Sequence, residues 1–130
     1  MHLELTSDDL LADMEREHRH IAECAAVVRA AVAANRQDDV TSALAALASA
    51  MADHFAAEEK AMELFGYDGL TAHRDAHDAL AASLGAVRLA LLTETLTHLE
   101  SGLFSVYVGH AARHIAEHDG PLRAFLAGRG

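Results

Sequence analysis

Two stretches of the chain place chemically capable side chains one helical turn apart: His54 and Glu58 in "HFAAEEKAM", and His73 and His77 in "HRDAH". Four residues advance a helix by about 400°, so the members of each pair point the same way. His114 and Asp119 in "HIAEHD", together with His18, complete a set of imidazoles and carboxylates in a chain that holds ten histidines among 130 residues. Such donors suit borderline and hard cations, so the chemistry they could do together is to hold metal ions. Singly they do not compel that reading, because a lone histidine on an apolar helix face is ordinarily a hydrogen-bonded core residue.

Positioning these side chains falls to four amphipathic helices. Thr6 or Ser7 offers an N-cap, Asp8 and Asp9 suit a first turn, and Leu10, Leu11, Met14, Ile21, Ala25, Val28 and Val32 predict a helix over about 7–34. After "NRQDD", the residues Val40, Leu44, Leu47, Met51, Phe55, Met62 and Phe65 predict a second over about 39–65, stopped by Gly66. Leu70, Leu80, Leu84, Val87 and Leu91 predict a third over about 70–91. Thr93 or Thr95 caps a fourth, marked by Leu99, Leu103, Phe104, Val108, Ala111 and Ile115, which meets "DGP" at Asp119 to Pro121 before the tail "LRAFLAGRG". Residues 1–130 are therefore expected to form one all-α domain, an up-down-up-down antiparallel four-helix bundle with a short C-terminal helical tail.

In such a bundle, residues equidistant from a turn lie at the same height on neighbouring helices. His18 and His54 centre on Arg36; His54 with His77, and Glu58 with His73, centre between Phe65 and Gly66; His77 and His114 centre between Thr95 and Leu96. All four helices thus deliver donors to one level, on the apolar stripes that face inward. Left without partners, each buried polar group would cost about 1–3 kcal/mol, and a metal centre satisfies them together. Five imidazoles with two carboxylates exceed the needs of one ion, and the thiolates usual in structural zinc sites are absent. Two ions are expected, with Glu58 able to bridge a pair roughly 3.5–4 Å apart. The donors suit iron while leaving manganese, cobalt and zinc open. On an ideal helix Asp119 stands about 140° from His114, so His118 competes for the inward position unless the helix loosens at "DGP".

Composition excludes several classes of partner. Twenty acidic against ten basic residues give a net charge of −10, which disfavours nucleic acid and anionic membrane surfaces. The start "MHLELTSDDL" has no basic region followed by an apolar run, and nowhere do eighteen apolar residues stand together. Cys24, the only cysteine, excludes an internal disulfide and suits a reducing compartment, so the chain is expected to be soluble and cytoplasmic.

The pattern H, HxxxE, HxxxH, HxxxxD carried by His18, His54, Glu58, His73, His77, His114 and Asp119 resembles the hemerythrin family, over about residues 14–122. The resemblance implies two iron ions per chain, joined by an oxo or hydroxo bridge. It implies that His73, His77 and His114 hold one iron, that His18 and His54 hold the other, and that Glu58 and Asp119 bridge. The second iron then keeps an open position, which implies reversible binding of dioxygen for carriage, storage, delivery or sensing. Two alternatives are a di-iron enzyme acting on peroxide or nitric oxide, and a non-redox metal-binding bundle. The excess of imidazole over carboxylate separates the set from ferritin-like centres and favours carriage over oxygen activation.

The chain departs from the family pattern at His110, where a tryptophan is usual, and at Asp68, where a proline is usual. His110 is expected to face inward, either hydrogen-bonded to a carbonyl or Tyr107, or reaching the oxygen pocket as a proton donor. His2, His20 and His98 are expected in solvent, and Cys24 on the flank of its helix.

Overall fold

The first helix begins where the sequence supplies a cap. In the computed structural model, which describes residues 6–92 and 100–128, Thr6 closes a capping box with Asp9. The Asp9 N–H donates to the Thr6 hydroxyl at 3.1 Å, and the Thr6 N–H donates to the Asp9 carboxylate at 3.2 Å. From there α1 runs Ser7–Ala33. It stops at Asn35, whose φ of 55° lies in the left-handed region that asparagine tolerates, and the Arg36 N–H returns to the Ala31 carbonyl.

Helix α2 spans Gln37–Phe65 and ends the same way, with Gly66 at φ 67° and the Tyr67 N–H on the Met62 carbonyl. Helix α3 spans Leu70–Ala90. The fourth helical run starts in a π turn, Glu100–Phe104, continues as α4, Ser105–His114, widens again in a π turn, Ile115–Asp119, and finishes as α5, Gly120–Ala127. Expectations attached to His2, Thr93, Thr95, Leu96, His98 and Leu99 lie outside the described residues.

"DGP" does not end the fourth helix. Pro121 sits in the first turn of α5, where its missing N–H is no loss and its fixed φ suits the helix, so the chain winds on past Asp119. Ile115, expected on the inward stripe, is 43% exposed.

Among the described residues the protein is an all-helical bundle of four helices without strands. Helix α1 packs on α2, α2 on α3, α3 on α4, and α5 returns against α1. By length and composition alone α2 is apolar enough to cross a membrane; here its stripe is engaged by α1 and α3. The core is divided. One apolar cluster joins Val28, Leu44, Leu47, Met51, Leu84, Val87, Phe104 and Tyr107, and a second joins Met14, Met62, Leu122 and Leu126. Between them along α2 stand His54 and Glu58, so a polar layer separates two apolar ones. Burial of the apolar layers drives assembly and carries the polar layer inside with them.

The Gly66 turn can be tested alone. A Cβ at Gly66 would meet no atom within 4 Å, so alanine there suffers only from the left-handed backbone. Gly66→Ala is expected to lower stability by about 1 kcal/mol in urea unfolding, with the slope unchanged. An unchanged midpoint would mean the turn does not depend on that conformation.

Candidate metal centre

The polar layer contains every side chain that the sequence singled out as a ligand. Helix α2 contributes His54 and Glu58, α3 contributes His73 and His77, α4 ends on His114, and the π turn ends on Asp119. All six are at most 4% exposed, and His18 on α1 closes the layer from a half-buried position. The imidazoles turn their Nε2 atoms toward two carboxylates. His77 Nε2 lies 3.0 Å from Glu58 Oε1, His54 Nε2 3.3 Å and His73 Nε2 3.5 Å from the same oxygen. His73 Nε2 and His114 Nε2 both lie 3.0 Å from Asp119 Oδ1, and His18 Nε2 lies 3.0 Å from Asp119 Oδ2.

Two overlapping groups result. Glu58, His73, His77, His114 and Asp119 form one, and His18, His54, Glu58 and Asp119 form the other; within each, one donor atom per residue falls within 4.8 Å of all the rest. Glu58 and Asp119 belong to both, which suits carboxylates spanning two ions. The fit to metal is tested by what the side chains leave unmet. His54 Nε2, Glu58 Oε2, both nitrogens of His73 and of His114, and Asp119 Oδ1 are buried without an aligned hydrogen bond, although several stand at ion-pair distance. That many orphaned donors and acceptors in one layer is what a cation would resolve.

The π turn explains how Asp119 joins. On an α-helix the fifth residue after His114 points away from it, but here the Gly120 N–H bonds the Ile115 carbonyl, an i→i+5 closure that takes in an extra residue. Asp119 thereby returns to the face of His114. His118 does not enter either group; it stays half-buried, its ring centroid 5.2 Å from that of His114.

Two carboxylates without an assigned role in the sequence hold the imidazoles from behind. His54 Nδ1 lies 2.8 Å from Glu17 Oε1, and His77 Nδ1 lies 2.9 Å from Glu59 Oε2. A proton on Nδ1 donated to such a carboxylate leaves Nε2 as the lone pair facing the layer and makes it a better donor. Glu59 is in turn held by Arg74, which also pairs with Glu63. Phe55 stacks on His77 with ring centroids 4.0 Å apart and fixes its plane.

A cavity of about 40 Å³ lies against the smaller group. His18, His54, His114 and Asp119 form one side of it, and Ile21, Met51, Phe55, Leu80, Tyr107 and Ala111 are among the residues that close the other. Met51 and Phe55 also line a cleft of about 260 Å³ between α2 and α3. His110 is not among the lining residues, so the expectation that it reaches the ligand pocket is replaced by Tyr107 and Ala111 on the same helix. Nor does Tyr107 bond His110; its hydroxyl donates to the Met51 thioether. His20 is exposed, 3.7 Å from the half-buried Cys24 sulfur, and both lie outside the polar layer.

In the metal-free chain, protons do part of a cation's work. Burial acts to lower the His54 pKa, but contacts with Glu58 and Glu17 and the charge of Asp119 outweigh it and raise the value from 6.5 to about 9. His73, also opposed by burial, is raised to about 9 by Asp119 and Glu58. Burial acts to raise Glu58 and Asp119, yet the surrounding histidines hold both well below the ordinary carboxylate range. Burial, with smaller contributions from the neighbouring His114 and His73, pushes His118 down.

Fold and layer together define a class: a helical bundle with a buried histidine and carboxylate cation site. The model of the hemerythrin HHE cation-binding domain matches residues 9–124, so the chain belongs to the hemerythrin family. No curated protein and no solved structure matches it.

These protonation states give a pH test with a definite sign. The contribution of protonated His54 and His73 is complete below about 6.5 and is lost as pH rises through about 9. Metal must displace those protons. The metal-free protein is expected to lose melting temperature between pH 7 and 10 while the metal-loaded protein does not, and metal uptake near pH 7 is expected to release protons measurable in weak buffer. Parallel melting curves for the two forms would contradict this.

Proposed function

We propose that the chain binds dioxygen reversibly at a pair of iron ions bridged by oxo or hydroxo, as a carrier, store, deliverer or sensor. The observation that carries this reading is the small cavity beside the group with fewer donors. Five residues compose one group and four the other, and the cavity is lined by three of the four, His18, His54 and Asp119, with His114 the one further ligand from the larger group. An ion held by the larger group would have its positions filled by the five protein donors and the oxygen bridge. One held by the smaller group keeps a position facing a space of about 40 Å³, scaled to a diatomic molecule. When bound, a ferrous pair supplies the two electrons that dioxygen takes up and gives back.

The chain's own residues do the rest. His73, His77 and His114 serve one ion, His18 and His54 the other, and Glu58 and Asp119 span both. Glu17 and Glu59 hold imidazole orientation, while Ile21, Leu80 and Phe55 keep bulk water from the cavity and so restrain irreversible oxidation. The short connections at 34–36 and 66–69, and the packing of each helix on the next, support an up-down-up-down order, with α5 as a tail folded against α1. The net charge of −10 and the lone Cys24 support a cytoplasmic protein without nucleic-acid or membrane partners.

The test is reversibility. Iron-loaded protein, reduced without air and then exposed to dioxygen, is expected to develop a visible absorption band that disappears under vacuum and returns through several cycles. A band that cannot be reversed, accompanied by repeated turnover of peroxide or nitric oxide, would replace the carrier by the enzyme reading.

A further inference from the structure

One lining residue of the cavity has a bonding arrangement that the polar layer does not explain. Tyr107 is 2% exposed, and its hydroxyl is the only hydroxyl among the side chains that line the cavity. It donates to the Met51 sulfur, and Met51 lines the same cavity. A thioether is a weak acceptor, so a buried phenol spent on it is a donor held in reserve. The remaining walls are the imidazoles and Asp119, turned toward one another, and the apolar Ile21, Phe55, Leu80, Ala111 and Ile115. Nothing else on the far wall can donate a hydrogen bond.

We propose that Tyr107 is the residue that recognises the ligand in this cavity, donating its hydroxyl to the ligand's outer atom and leaving Met51 when the cavity fills. The inference rests on the reading that a small exogenous ligand occupies that space. It adds a selection rule: ligands that carry negative charge on the outer atom, as azide does and as dioxygen does once it has drawn electrons, are favoured. Carbon monoxide, whose outer atom accepts poorly, gains nothing. Burial pushes the phenol above its ordinary pKa, so the group remains a donor across the working range. Met51 also faces the cleft between α2 and α3, so a ligand arriving from that side meets the acceptor and its donor together.

The experiment uses the iron-loaded full chain in its ferric state with azide as probe, read by the azide infrared stretch in H₂O and D₂O and by titration. The wild-type stretch is expected to shift on deuteration. Tyr107→Phe is expected to abolish that shift and weaken azide binding about fivefold to tenfold, with iron content retained. Met51→Leu removes the competing acceptor but keeps the phenol, and is expected to bind azide more tightly with the isotope shift intact. Ultraviolet resonance Raman gives a readout on the protein itself: the tyrosine signal missing from Tyr107→Phe should move when azide is added to wild type. Equal isotope shifts and affinities in wild type and Tyr107→Phe overturn the proposal. Should Tyr107→Phe lose iron, Met51→Leu decides, and azide binding no tighter than wild type overturns it. A wild-type protein that holds iron yet takes up no azide fails at the earlier step, overturning the ligand-binding reading and this inference with it.

Discussion

Two carboxylates, Glu58 and Asp119, are each 1% exposed at the centre of a helical bundle, and that burial constrains everything around them. Moving an ion of this kind out of water costs several kcal/mol unless opposite charge and hydrogen bonds surround it. Five imidazoles do so from four helices, and two of them, His54 and His73, are driven toward the protonated form by the carboxylates they face. Protons compensate the charge but leave His114, His73 and parts of both carboxylates unsatisfied. A pair of cations would meet the same charge and the orphaned atoms together. The layered core follows from this constraint, because apolar clusters on either side must supply the burial that offsets a polar centre.

The two halves of the centre are supported differently. His77 is fixed by Glu59, by the Arg74 and Glu63 pairs behind it, and by Phe55 across its face. His54 rests on a partly exposed Glu17, and His18 is itself half-buried. The fuller, better-buttressed group suits a structural ion, and the leaner group adjoins the cavity. Function in this account arises from that asymmetry. A symmetric site with all donors supplied by protein would bind metal and nothing else.

Much of this was legible from the sequence because apolar spacing predicts the helices and distance from a turn predicts height in the bundle. His18, His54, Glu58, His73, His77 and His114 were reached by that arithmetic, and the family pattern added Asp119. What remained hidden depended on local geometry. A five-residue interval reads as pointing outward on an α-helix, and no side chain in "HIAEHD" announces that the turn widens to an i→i+5 closure. Ile115, at the start of that turn, is partly exposed while still lining the cavity, and the helix runs on through Pro121, where an ending was expected. Glu17 could have been found, since it lies level with His54 across the first connection by the rule that placed His18. Glu59 could not, because its partner His77 is reached by the length of a side chain and not by register. Of the two readings kept for His110, the one that took it into the pocket fails, because helical periodicity places it one turn from His114 but does not show which neighbours fill the space between them.

The central claim is that these residues form one site for two ions sharing Glu58 and Asp119. Anaerobic titration of the metal-free chain with ferrous iron, read by metal analysis after gel filtration, tests it most directly. The account predicts two ions retained per chain in wild type. Glu58→Ala is expected to retain at most one, because the shared carboxylate is gone from both groups. One ion per wild-type chain, or two in both proteins, would contradict it.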